Sequence, residues 1–96
     1  MALVISPRVR EKLQQKTPPV TEPEIMQCFA NRAGWYLVDV REEHKTEPPT
    51  RWFVAETDYS RKLKVVFIQK DGDIIIKTAY DPNVTELRIY ENVHRR

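Results

Sequence analysis

Two lysines alternate in Lys62-Leu63-Lys64, a third stands at Lys77, and Tyr80 follows shortly after it. Arg51 leads a run of aromatic and aliphatic residues, and a polar stretch further back carries Arg41 and His44. Lysine and arginine supply fixed positive charge, while tyrosine and histidine exchange protons. These are the side-chain types that metal-free cleavage of RNA needs. The 2′-hydroxyl must lose a proton, the charge on the phosphorane must be stabilised, and the leaving 5′-oxygen must gain a proton. In that scheme His44, Lys62 and Tyr80 are the catalytic candidates, and Arg41, Arg51, Lys64 and Lys77 are the candidates for holding RNA phosphates.

Each candidate has a plainer reading. His44 lies in Arg41-Glu42-Glu43-His44-Lys45, where a solvated loop histidine is ordinary. Lys62 and Lys64 alternate as they would on the exposed face of any half-buried strand. Tyr80 precedes Asp81-Pro82 and also suits the edge of a core with its hydroxyl satisfied. Trp35, Trp52 and Phe53 could stack on bases, yet aromatics in the strands of a small domain mostly build its core. Arg8, Arg10 and Lys12 form a basic stripe, either a solvated face or a contact for RNA or an acidic protein. Arg88 and Tyr90 read as surface and packing residues.

Other chemistries find little support. No Cys/His cluster has zinc spacing, and no glycine pattern marks a P-loop or dinucleotide site. Glu42, Glu43 and Glu47 share one loop, and such charged loops are mostly solvated, so neither metal nor cofactor is expected. The lone Cys28 stands among Ile25, Met26 and Phe29, reads as a core residue, and fits a reducing compartment. The start of the chain is too short for a signal peptide, and no apolar run approaches the roughly 20 residues that span a bilayer. The cytoplasm is the expected location.

The elements that must position these residues fit one domain over residues 1–96, an α+β fold with two N-terminal helices, a four-stranded antiparallel sheet and a C-terminal helix. Ser6-Pro7 opens a basic helix over 7–16, stopped by Thr17-Pro18-Pro19. Thr21 and Glu24 form a capping box for a second helix ending near Asn31. After Gly34 the apolar period changes to two, which predicts strands over 35–40, 51–57, 62–69 and 74–80. Asp71-Gly72 is the strongest hairpin signal. Asn83 or Thr85 caps a last helix to about Asn92. Leu63, Val65 and Phe67 share one face of the third strand, and Lys62, Lys64 and Val66 the other. Uninterrupted alternation in the fourth strand puts Ile74, Ile76, Thr78 and Tyr80 together, opposite Ile75, Lys77 and Ala79. One sheet face then packs helices, and the mixed, basic face lies open with no helix above it.

This order and spacing resembles the small ribonuclease toxins of bacterial toxin–antitoxin pairs, in particular the BrnT-like branch of the RelE/ParE-type fold. Residues 6–29 resemble its opening, a short lysine-bearing helix, a break, and a capped helix with Glu24 that ends near Phe29. Residues 61–69 resemble its basic-led apolar strand. Residues 73–90 resemble its last strand, ending Lys77-Thr78-Ala79-Tyr80, and a final helix with Glu86 and Tyr90. Where the family often has Lys-His-Gly between its first helices, this chain has Lys16-Thr17-Pro18. Where the family has an arginine that contacts the scissile phosphate, this chain has Tyr80, whose hydroxyl can act as donor or general acid. The resemblance implies a metal-independent endoribonuclease, the toxin of a type II pair, with RNA and a cognate antitoxin protein as partners and a homodimer allowed. The alternative is a non-catalytic protein- or nucleic-acid-binding module of the same fold.

Overall fold

Short polar caps start all three helices. Ser6 Oγ accepts the Val9 N–H at 3.2 Å and opens α1, Pro7–Gln14. Thr21 and Glu24 form the expected capping box and open α2, Glu22–Asn31. Asn83 and Glu86 form a second capping box at the start of α3, Val84–Val93. These contacts come from a computed structural model that describes residues 2–39 and 47–94. α1 ends two residues before the expected Lys16, because the chain must turn extended ahead of Pro18. Among the described residues no helix is long and apolar enough to cross a membrane.

Among the described residues the sheet has five strands and is mixed, which corrects the four-stranded antiparallel expectation. The strands are β1 (Leu3–Val4), β2 (Leu37–Val38), β3 (Thr50–Glu56), β4 (Lys62–Lys70) and β5 (Asp73–Tyr80), in the order β1-β5-β4-β3-β2. β1 runs parallel to β5, with Leu3 opposite Ile74 and Val4 opposite Ile75. Two residues carry no readable alternation, so this strand left no periodic signal. Of the strand expected over 35–40, the described residues form Leu37–Val38, and Val40 lies outside them. The β4–β5 turn is as its sequence demands: Asp71 (φ 53°) and Gly72 (φ 83°) both take positive φ, as a two-residue hairpin loop requires.

The core lies between one sheet face and α1 and α2. Phe53, Leu63, Val65 and Phe67 are fully buried there against Ile25, Cys28, Leu13 and Val20. Phe29 and Tyr36 pack against Phe53 and Phe67 in edge-on or tilted contacts, with centroids 4.7 to 5.5 Å apart. Each such side chain contributes on the order of 1.5–3 kcal/mol by leaving water. Cys28 belongs to this core. Its thiol lies 3.6 Å from the Ala55 carbonyl, and burial pushes it up to about 11, so it is an inert packing group.

A bulge in β5 corrects the expected face assignment. Val66 stands opposite Thr78 but Phe67 opposite Ile76, so Lys77 has no partner across the ladder. Beyond it the alternation flips. Ala79 joins Ile74 and Ile76 in the core, while Thr78 and Tyr80 turn to the face of Lys64 and Val66. That second face is not open, which is a further correction. α3 lies on it, held through the half-buried Glu86, Leu87, Tyr90 and His94, spaced as one stripe of a helix.

Arg61, just ahead of β4, ties the periphery together. Its Nε donates to Asp81 Oδ1 at 3.1 Å, Nη1 to the Pro19 carbonyl at 2.7 Å and to Glu24 Oε2 at 3.1 Å, and Nη2 to the Pro18 carbonyl at 2.9 Å. The helix linker, the start of α2 and the end of β5 therefore meet on one planar fork that only arginine provides. Arg61→Ala is expected to lower stability by about 1–2 kcal/mol in urea unfolding, because it removes the hydrogen bonds that join the linker, α2 and the end of β5 at a partly exposed site. Arg61→Lys should recover only part of the loss. Equal stability of wild type and Arg61→Ala would contradict this account.

Candidate functional site

The register that seats Lys64 opposite Tyr80 places both side chains on the face beneath α3. Asn83 fixes the first turn of that helix, and the turn aims Glu86 down at them. Glu86 then uses both carboxylate oxygens. Oε1 accepts the Asn83 N–H at 3.0 Å, and Oε2 accepts from Lys64 Nζ at 2.7 Å and from the Tyr80 hydroxyl at 2.6 Å. Lys64 is only 5% exposed, and its ammonium also lies 4.4 Å from the centre of the Trp52 ring. Tyr90, one turn beyond Glu86, packs on Trp52 with centroids 5.9 Å apart.

The electrostatics of this cluster hold its members in their resting states. Burial raises the Tyr80 hydroxyl above its usual value of 10, its bond to Glu86 raises it further, and Lys64 opposes the two without cancelling them. Burial alone would also raise the Glu86 carboxyl. The Lys64 ammonium, the Tyr80 hydroxyl and the Asn83 N–H outweigh it and hold the group below 4.5. Tyr80 thus keeps its proton directed at Glu86, and Lys64 Nζ has that same carboxylate 2.7 Å away. A phosphate reaching either would have to displace a carboxylate bonded at both oxygens and would meet that negative charge at close range.

The remaining candidates lie apart. Lys62 shares the face of Lys64 but is exposed and opens onto a different cleft, of 680 Å³, beside Glu56, Asp58, Tyr90 and Glu91. Arg51 stands opposite Phe67 and so faces the α1–α2 side, where its Nη1 donates to Gln69 Oε1 at 3.4 Å. Lys77 is the exposed residue of the bulge. Arg41 and His44 lie outside the described residues. The fold thus brings Lys64 and Tyr80 together and disperses Lys62, Arg51 and Lys77. Among the described residues no group of three or more His, Cys, Asp and Glu side chains could hold a metal ion.

The residue that reasoning from sequence missed is Glu86. A signal for it existed: Asn83-x-x-Glu86 is a capping-box pattern, which makes a fixed carboxylate out of an otherwise mobile one. The cluster borders a groove of 480 Å³ that Lys64, Glu86 and Asp39 line together with the apolar Leu37, Val38, Trp52, Ile89 and Val93. Val38 and Ile89 are 48% exposed, and Trp35, near the same end of α3, is 75% exposed. Trp35 is held there by its backbone N–H, which donates to His94 Nε2 at 2.6 Å. A Cβ at Gly34 would run into the His94 ring and the Tyr90 hydroxyl, so only glycine permits this close approach.

No family model, curated protein or solved structure matches this chain.

Replacing Glu86 with Gln should cost about 1–3 kcal/mol at neutral pH, because the buried Lys64 ammonium loses its counter-charge. The pH dependence has a definite sign. A carboxyl held low in the folded state adds stability above its unfolded value, and that stability is lost as pH falls below about 4.5. Urea midpoints measured against pH should therefore fall less steeply on the acid side for Glu86→Gln than for wild type. A slope should remain, since Glu24 is also held low: the Thr21 and Arg61 hydrogen bonds outweigh its burial. Parallel acid limbs in the two proteins would show that the Lys64–Glu86 pair stores no stability.

Proposed function

We propose that this chain is a non-catalytic protein-binding module with a RelE/BrnT-like layout. The observation that carries the reading is the Glu86 carboxylate, which engages Lys64 at 2.7 Å and Tyr80 at 2.6 Å on the face where cleavage would take place. Endoribonuclease chemistry needs those two groups free to meet a phosphate and to release a proton. Here they serve to fasten α3. The sequence departs in the same direction, with Tyr80 standing where the resembled family has its phosphate-contacting arginine. Large apolar side chains left in water, Trp35, Val38, Ile89 and Val93 among them, favour a protein over a nucleic acid as partner. The partner that the resemblance implies is a cognate antitoxin-type protein.

The test is to incubate the purified chain with total bacterial RNA and, separately, to express it alone in growing cells. Intact RNA and normal growth are expected. RNA fragmentation that disappears in Tyr80→Phe or Lys62→Ala would overturn the proposal and establish the toxin reading in its place.

A further inference from the structure

Away from α3, at the opposite edge of the sheet, the molecule carries a second charged feature. Arg8 and Lys12 stand four residues apart on α1 and so lie on one side of the helix about 6 Å apart, with Lys16 two residues past its end. The fold fixes which side. Arg10 points the other way and pairs with Glu22 of α2 at 3.0 Å. Lys16 reaches toward β5, with Nζ 5.6 Å from the centre of the Tyr80 ring. β1 runs parallel to β5 with Val4 opposite Ile75, so the chain enters α1 level with the Lys77 bulge. α1 then packs along the rest of β5. Arg8, Lys12, Lys16 and Lys77 thus border one edge, and among the described residues none of the four has an ion pair. In a chain of net charge +2, a row of unpaired cations on one edge is a concentration of charge rather than its average.

Resting on the protein-binding reading above, we infer that this edge docks an acidic helical segment of the partner protein. Carboxylates at every fourth residue of a helix repeat at the same spacing of about 6 Å, so each cation of α1 can meet one. The row is short, and carboxylates interrupt it: Glu11 lies on α1, and Asp73 lies on β5 with Lys77. A nucleic-acid backbone presents an unbroken line of phosphates and would meet those carboxylates as repulsion, whereas a peptide can set its charges to avoid them.

The experiment uses the full chain and two labelled probes, a synthetic helical peptide with glutamate at every fourth position and a single-stranded RNA of matching charge. Binding is read by fluorescence anisotropy at low and at physiological salt. The peptide is expected to bind, more weakly as salt rises. The double variant Arg8→Glu, Lys12→Glu should weaken it by about tenfold or more, while Lys70→Glu, outside the edge, leaves it unchanged. Circular dichroism of the double variant verifies that both exposed reversals leave the fold intact. No peptide binding, binding indifferent to the double reversal, or tighter binding of the RNA overturns the inference. If that happens while RNA remains uncut, only the acidic-partner inference falls; cleavage of the RNA probe would instead remove the reading on which it rests.

Discussion

The carboxylate of Glu86 decides what the second face of the sheet can be. A helix with no fully buried residue has little apolar area to hold it, so a directional contact must do what packing does for α1 and α2. Glu86 provides that contact at both ends. One oxygen closes the helix cap, and the other receives a lysine and a tyrosine that would otherwise be unsatisfied under the helix. Burying an ammonium at Lys64 is tolerable because its partner lies 2.7 Å away and an aromatic face covers one side. The same contact that stabilises the fold engages Tyr80, one of the catalytic candidates, and Lys64, one of the phosphate-holding ones.

That contact depends on the bulge at Lys77. Without the extra residue, strict alternation would put Tyr80 in the core with Ile76, and Ala79 would face α3. The bulge exchanges them: a small residue enters the crowded core, and a long phenol reaches Glu86. Arg61 plays the corresponding part on the other side, where one guanidinium satisfies two carbonyls of the Pro18-Pro19 linker together with Glu24 and Asp81. Two polar clusters, each centred on one charged group, thus flank a largely apolar core.

Much of this was legible in the residues, and what was not has physical causes. The caps at Ser6 and Thr21, the Asp71-Gly72 turn and the packing role of Cys28 all follow from local chemistry, and local chemistry is what a sequence displays directly. The strands β3, β4 and β5 announced themselves by period-two alternation. β1 did not, because two residues make no period and parallel pairing across the chain leaves no local mark. The bulge was invisible because nothing in Ile76-Lys77-Thr78 differs from ordinary alternation; only its neighbours on β4 impose it. Alternation puts Lys64 on the correct face but cannot show its burial, since an alternating lysine looks the same with or without a helix above it. Arg61 was overlooked because its partners lie far away in the chain, at Pro18, Pro19, Glu24 and Asp81.

The short edge strand β1 has a bearing on self-association. A long, flat sheet margin offers unpaired backbone groups to any neighbouring chain and is a template for fibrillar growth. Here the margin beside β5 is occupied for two residues by β1, is kinked at Lys77, and is then followed by a charged helix. An incoming strand would find no straight run to copy and would meet like charges along the way. A chain with 41% hydrophobic residues and β-rich hairpins therefore carries its own barrier to amyloid-like stacking on that side.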